Sequence, residues 1–297
     1  MTRPRQRERE QPLRNDHDPN RPGTTLIELL MVVMIISVIL SLILPAIHAS
    51  RGAASRVQCT NNLKQIGLAL HNYETNLGTF PPGVVNPTGP ISNVPEDFHI
   101  GWVVQLLPYM EQGGVAGALD TRFSVYDAVN QTARLTRITS LTCPDDKLPG
   151  GTALANHTSY AANHHDVEAP IEEDNHGVFF LNKALRTADL EDGSSHTIFV
   201  GDKRTELGDL GWSSGTRATL RNTGHPLRAS LRGPQDPPEP EPTDEWYVGG
   251  FGSGHPGAVN FAFGDGSVRF LSTTINPRIL RLLGHRADGE PLGGSEY

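Results

Sequence analysis

The chain has 297 residues, a formal net charge of −8, and 20% charged against 37% hydrophobic residues. That length allows one or two domains with a sizeable core, and the acidic balance argues against nucleic acid as a partner. With 31 Gly and 23 Pro, about 18% of the chain against a typical ~12%, much of it must be turns and irregular loops.

Residues 1–22 hold six Arg (Arg3, Arg5, Arg7, Arg9, Arg14, Arg21) against Glu8, Glu10, Asp16 and Asp18, with no hydrophobic period. This leader is predicted to be disordered. From Leu26 to Ile47 there are 22 residues whose only charge is Glu28. At about 1.5 Å per residue a helix of that length just crosses a ~30 Å hydrocarbon layer. The basic leader places residues 1–23 in the cytoplasm by the positive-inside rule. A cleaved secretory signal is the rival, but the apolar run exceeds the usual ~7–15 residues and no A-x-A site closes it.

After Ile47 the helix is predicted to continue as an amphipathic one. Cys59, Leu63, Ile66, Leu70, Tyr73 and Leu77 recur at helical spacing, while Arg56, Asn61, Lys64 and Glu74 take the other face. A helix from about Thr25 to Asn76 would be ~78 Å long, with Pro45 and Gly52 as bend points. Gly78 and Pro81-Pro82-Gly83 stop it.

A Pro- and Asn-rich loop (81–97) leads to a short helix over Gly101–Gln112 broken or begun near Pro108, whose Trp102, Leu106 and Tyr109 read as core. Thr132–Ser140 is a second short helix. From Ser159 the pattern turns to strands: SYAAN, GVFFLN, HTIFVGD, EWYVGGF, AVNFAF and SVRFLS, each bounded by Gly, Asp or Asn. Residues 217–244, with Arg217, Arg221, Arg228 and Arg232 before PQDPPEPEPTDE, read as a mobile, Pro-rich loop.

Gly23-Thr24-Thr25-Leu26-Ile27-Glu28, opening an apolar run after a basic leader, resembles the processing site of type IV prepilins and type II secretion pseudopilins. The resemblance implies that a prepilin peptidase cuts between Gly23 and Thr24 and methylates the new amine. Glu28 then becomes the fifth mature residue, the position that serves assembly in that family. This chain has Thr24 where the family usually has Phe, and Pro22 where it has a basic residue. The body also resembles a bacterial prepilin-like family that joins such an N-terminus to a domain of unknown function. The resemblance is carried by CTNNLKQIGLALHNY from Cys59, FPPG, GWVVQLLPYMEQ, CPDD, SYAAN, DGSSHTI and HPGAVNFAFGDGSVRFL. It closes on a His-x9-Asp-Gly signature, His255 to Asp265-Gly266.

Candidate chemistry is sparse. His255 and Asp265 would sit at opposite ends of a strand, on the order of 20–30 Å apart, so they form no dyad. Asp265-Gly266 reads as a hairpin turn, with Val259, Phe261 and Phe263 sharing one strand face and Asn260 and Ala262 the other. His164, His165, Asp166 and His176 could supply metal ligands, but adjacent strand residues face opposite ways, so only one of the paired His could join. Asp189, Glu191, Asp192 and Asp202 could hold Ca²⁺ through oxygen, although the spacing of a calcium loop is lacking. Ser194-Ser195-His196 lacks the setting of a hydrolase nucleophile. Cys59 and Cys143 are the only cysteines and both follow the apolar run, which makes them a disulfide candidate; two buried free thiols are the alternative.

The expected fold is α+β and pilin-like: a long N-terminal helix, membrane-spanning in its first half, packed on an antiparallel β-sheet head with long loops. The expected segments are the leader 1–23, the transmembrane helix 24–47, its amphipathic continuation 48–77 and the extracytoplasmic head 78–297. The expected function is a non-enzymatic pilin or pseudopilin subunit of the inner membrane, its N-terminus cytoplasmic and its head periplasmic or at the cell surface. Its partners would be a prepilin peptidase, other pilin-like subunits and membrane lipid, with no nucleic acid and no obligatory cofactor or metal. The alternative is a single anchored module whose head binds a partner.

Overall fold

The computed structural model describes residues 25–146, 156–206, 208–229, 244–290 and 292. The chain divides into two compact units, residues 1–50 and 51–297. Helix α1, Leu26–Leu77, opens on Thr25. The Glu28 backbone N–H donates to Thr25 Oγ1 (3.4 Å) and the Thr25 N–H donates to Glu28 Oε2 (2.8 Å), a reciprocal capping box that satisfies two otherwise orphaned donors. Ser37 and Ser41, the two hydroxyls of the apolar run, donate back to the carbonyls of Val33 and Val38. Both hydroxyls are satisfied within the helix, as polar groups in hydrocarbon must be. Among the described residues this is the helix long and apolar enough to cross a membrane, with a mean hydropathy of 2.9 in its most apolar window.

In the second unit, the C-terminal part of α1 buries the predicted stripe. Cys59, Leu63 and Ile66 are fully buried, and Leu70 and Tyr73 nearly so, while Lys64 and Leu68 face out. Each such Leu or Ile contributes roughly 1.5–3 kcal/mol on burial. Leu77, expected on that stripe, is 56% exposed, because the helix ends at this residue and Gly78 turns the chain away.

Short elements follow: β1 (Val84–Val85), β2 (Ile100–Gly101), α2 (Trp102–Leu106), α3 (Gly113–Gly117) and α4 (Gln131–Arg134). A 3₁₀ turn, Leu107–Met110, succeeds α2 at Pro108. Trp102 is fully buried, and its Nε1–H donates to the Thr219 carbonyl at 2.9 Å.

The central sheet has five strands: β3 (Tyr160–His165), β4 (Ile198–Asp202), β5 (Leu220–Asn222), β8 (Ala258–Phe263) and β9 (Val268–Ser272), in the order β5-β3-β4-β8-β9. The antiparallel expectation is corrected here. β3–β4, β4–β8 and β8–β9 are antiparallel, but β5 runs parallel to β3, so the sheet is mixed. A two-residue parallel pair, β6 (Arg228–Ala229) with β7 (Gly252–Ser253), lies beside it. The 217–244 loop is corrected in part as well. It begins with β5, and Arg217 and Arg221 are buried beside Glu206, at 3.8 and 2.8 Å; residues 230–243 lie outside the described residues. GVFFLN is not a strand of the sheet: the N–H groups of Gly177, Val178 and Phe179 donate to the carbonyls of His164 and Asn163.

The sheet is packed on both faces. Tyr160, Ala162, Val200, Leu220 and Ala262 join the cluster that contains Cys59, Leu63 and Ile66 of α1. Ala161, Ile198, Val259, Phe261 and Phe263 join Leu280 and Leu283 of helix α5 (Pro277–Gly284). Ile198 and Val200 face opposite clusters because the β4–β8 register shifts between them. The head is a helix–sheet–helix sandwich. Asn62 of α1 seals one interface by donating to the Tyr160 hydroxyl (3.1 Å) and the Thr142 carbonyl (3.3 Å).

Candidate functional site

Three sequence segments far apart in the chain meet where α1 crosses the head. Cys59 comes from the buried stripe of α1, Cys143 follows the 3₁₀ turn Thr139–Leu141, and His255 lies in the turn that enters β8. Cys59 and Cys143 form a disulfide with Cα atoms 5.4 Å apart across a sequence separation of 84. His255 Nε2 lies 3.4 Å from Cys143 Sγ, and its Nδ1 lies 3.0 Å from Asp145 Oδ2, with the carboxylate out of line with the ring N–H. All three side chains are buried, while that of Asp145 is 30% exposed. Burial lowers the His255 pKa, with the Arg56 charge adding to that and the Asp145 carboxylate opposing it.

Local hydrogen bonds hold these groups in place. The Cys143 N–H donates to Ser159 Oγ (3.0 Å), and Ser159 Oγ donates to Asp146 Oδ2 (2.7 Å). Thr205 Oγ1 donates to the same carboxylate oxygen at 2.7 Å, so Asp146 clamps the Cys-Pro-Asp-Asp turn. The His255 N–H donates to Ser253 Oγ at 3.2 Å, and Arg56 of α1 donates to the Pro256 carbonyl at 3.1 Å. Gly254 is required by close approach: a Cβ there would stand 2.3 Å from the Asp145 carbonyl oxygen.

The structure separates the two halves of the His-x9-Asp-Gly signature. His255 meets Cys143 and Asp145, whereas Asp265 accepts from the Ser267 N–H (2.9 Å) and lies 3.5 Å from Arg269. Gly266, at φ +79°, closes the β8–β9 turn. Glu28 lies in the first turn of α1, and Gly23 and Thr24 lie outside the described residues.

The histidine cluster is partly assembled. His164 is fully buried with its Nδ1 3.3 Å from Asn175 Oδ1, and burial pushes its pKa down to about 4. His165 and His176 each place Nδ1 2.9 Å from Asp166 Oδ1. Burial opposes ionisation of Asp166, but the two imidazole contacts outweigh it and hold its pKa well below the carboxylate range. Sequence reading missed two members from the C-terminal region: His285, whose ring is 4.7 Å from that of His176, and Arg281, 3.5 Å from Asp166 Oδ2. The acidic calcium candidates divide. Asp192 converges with His285 and Asp288, whereas Asp202 is buried in β4 against Ser253 and Asn260. Asp189 accepts from the Arg186 N–H, and Glu191 lines an open surface pocket of about 330 Å³ with Asp192 and Glu290.

These features define an α+β protein with a long apolar-to-amphipathic N-terminal helix and a mixed-sheet head. A family model described as "Protein of unknown function (DUF1559)" matches residues 48–278, and the chain belongs to that family. No curated protein and no solved structure matches it.

Proposed function

We propose that this chain is a pilin-like subunit, anchored in the inner membrane through Leu26–Ile47 and assembling with like subunits through that helix. Prepilin peptidase would process it between Gly23 and Thr24, leaving the head outside the cytoplasm. The observation that carries this reading is exposure. Every Leu, Ile, Val and Met side chain from Leu26 to Ile47 is exposed, between 42% and 77%. At roughly 25 cal/mol per Å² of apolar surface, such a helix requires lipid or partner helices around its whole circumference. The disulfide in the head supports an oxidising compartment, and the DUF1559 match is consistent with a surface role. The head would serve structure and recognition rather than catalysis.

One observation favours the second reading, a solitary anchored module. The capping box gives Glu28 a role inside its own chain, so its carboxylate need not await a neighbour. Two substitutions separate the readings. Glu28→Gln preserves the cap, since Gln serves as well as Glu at that position, but removes the charge; Glu28→Leu removes both. A subunit assembling through charge pairing loses crosslinked oligomers in membranes with either variant, while insertion persists. Absence of crosslinked oligomers in the natural chain would leave only the anchored module standing, and oligomers undiminished by Glu28→Gln would overturn assembly through charge pairing.

A further inference from the structure

Cys59, Cys143 and His255 bring two sulfurs and an imidazole nitrogen within 4.8 Å of one another. The nitrogen facing the sulfur is Nε2, while Asp145 stands at Nδ1 on the far side of the ring. With the imidazole proton on Nδ1, beside the carboxylate, the Nε2 lone pair points at the sulfur pair. A disulfide sulfur has no hydrogen to offer it. In that tautomer the lone pair gains a donor or a cation as partner when the disulfide opens.

We propose that, once reduced, Cys59, Cys143 and His255 form a binding site for a zinc-type divalent cation, with Asp145 supporting the imidazole from behind. Thiolate and imidazole are the donors such an ion selects. Turned into line with the ring N–H as the metal binds, a carboxylate behind the ligating histidine fixes which nitrogen faces the metal and raises its basicity. At metal–sulfur distances near ~2.3 Å and metal–nitrogen distances near ~2.0 Å, tetrahedral donors stand about 3.3–3.8 Å apart. With the cysteine Cα atoms 5.4 Å apart, rotation about the two Cα–Cβ bonds supplies the sulfur separation. Three protein ligands leave a fourth position for water.

The chemistry balances in two steps. A dithiol reductant transfers two electrons and two protons to the Cys59–Cys143 bond, yielding two thiols and the reductant's own disulfide. The cation then displaces both thiol protons to solvent, and the imidazole binds through its lone pair. The His165–Asp166–His176 cluster is a weaker host. His165 Nδ1 already accepts the Val167 N–H at 3.1 Å, and the Arg281 guanidinium stands 3.5 Å from Asp166, so an added cation would meet an engaged lone pair and a like charge.

The test uses the full chain in detergent, reduced with a phosphine, freed of reductant without oxygen and titrated with Co²⁺. We expect one Co²⁺ per chain, with thiolate-to-cobalt charge-transfer absorption that Zn²⁺ abolishes, and no such band from the oxidised protein. Asp145→Asn should weaken binding about 10–100-fold, as loss of an outer partner does, and His255→Ala should weaken it by at least about tenfold. Absence of the band, or affinity unchanged in His255→Ala, overturns the site. Far-UV circular dichroism accompanies each titration. A reduced chain that folds only with the metal supports the proposal, and one that stays unfolded with and without it overturns the proposal as well.

Discussion

Asp202 is a carboxylate that burial keeps protonated well above the usual carboxylate range. It is 2% exposed at the end of β4, and its Oδ2 accepts from Ser253 Oγ (2.9 Å), the Asn260 N–H (3.2 Å) and Asn260 Nδ2 (2.7 Å). Burial raises its pKa to about 7, against the downward pull of the Asn260 and Ser253 hydrogen bonds, with the Asp146 charge adding a further rise. In the unfolded chain the value is about 3.9. Between these limits the folded state binds the extra proton, so Asp202 makes stability fall as pH rises from about 4 to about 7, by at most about 1.4 kcal/mol per pH unit. Asp202→Asn keeps an oxygen for Ser253 and Asn260 and removes the titration. Relative to the natural chain, the variant should therefore gain stability on going from pH 5 to pH 8 in urea denaturation. Parallel shifts in the two proteins would show that Asp202 is ionised throughout.

At the scale of elements, the disulfide fastens α1 to the segment that precedes the sheet. Closing a loop across 84 residues stabilises by roughly 4–5 kcal/mol in the chain-entropy model. Cys59→Ala and Cys143→Ala should each lower head stability by about 2–5 kcal/mol, and a tryptic digest without reductant should yield the two cysteine peptides joined. Recovery of both as separate alkylated peptides would remove the bond and the predicted loss with it. The long helix was legible in the sequence because 3.6-residue periodicity is a local signal: Cys59 through Tyr73 lie on the buried face it marks. β5 was not legible, since Leu220-Arg221-Asn222 carries its burial through the Arg221–Glu206 ion pair and not through apolar alternation. GVFFLN misleads in the opposite way: Val178 through Leu181 are all buried, yet the segment makes only an isolated bridge, Leu181 with Val84, and joins no strand of the central sheet. The site behaved likewise. The strand spacing separates His255 from Asp265, as the structure has it, but the neighbour of His255 stands across the fold at Asp145, where no spacing rule reaches.

At the scale of the whole molecule, the decisive question is where the mature chain begins. Cleavage after Gly23 would create an ammonium on Thr24, one residue before the N-cap of a 52-residue helix. A positive charge there opposes the helix macrodipole, and an acid in the first turn offsets it. Glu28 is the acidic residue in that first turn, with Oε2 already turned back to the Thr25 N–H at 2.8 Å. In the proposed assembly this carboxylate would neutralise either its own new terminus or that of an adjoining subunit. In hydrocarbon an unpaired ammonium is costly, and in the proposed assembly the pairing would set register more than it adds stability. We therefore expect membrane-extracted protein, made with prepilin peptidase present, to have lost residues 1–23 and to begin at Thr24, with or without a methyl group. Intact-mass and N-terminal peptide analysis decides it. A terminus beyond Ile47 would instead mean a cleaved secretory signal and a head with no anchor, and an intact Met1 would mean an anchor that no peptidase processes.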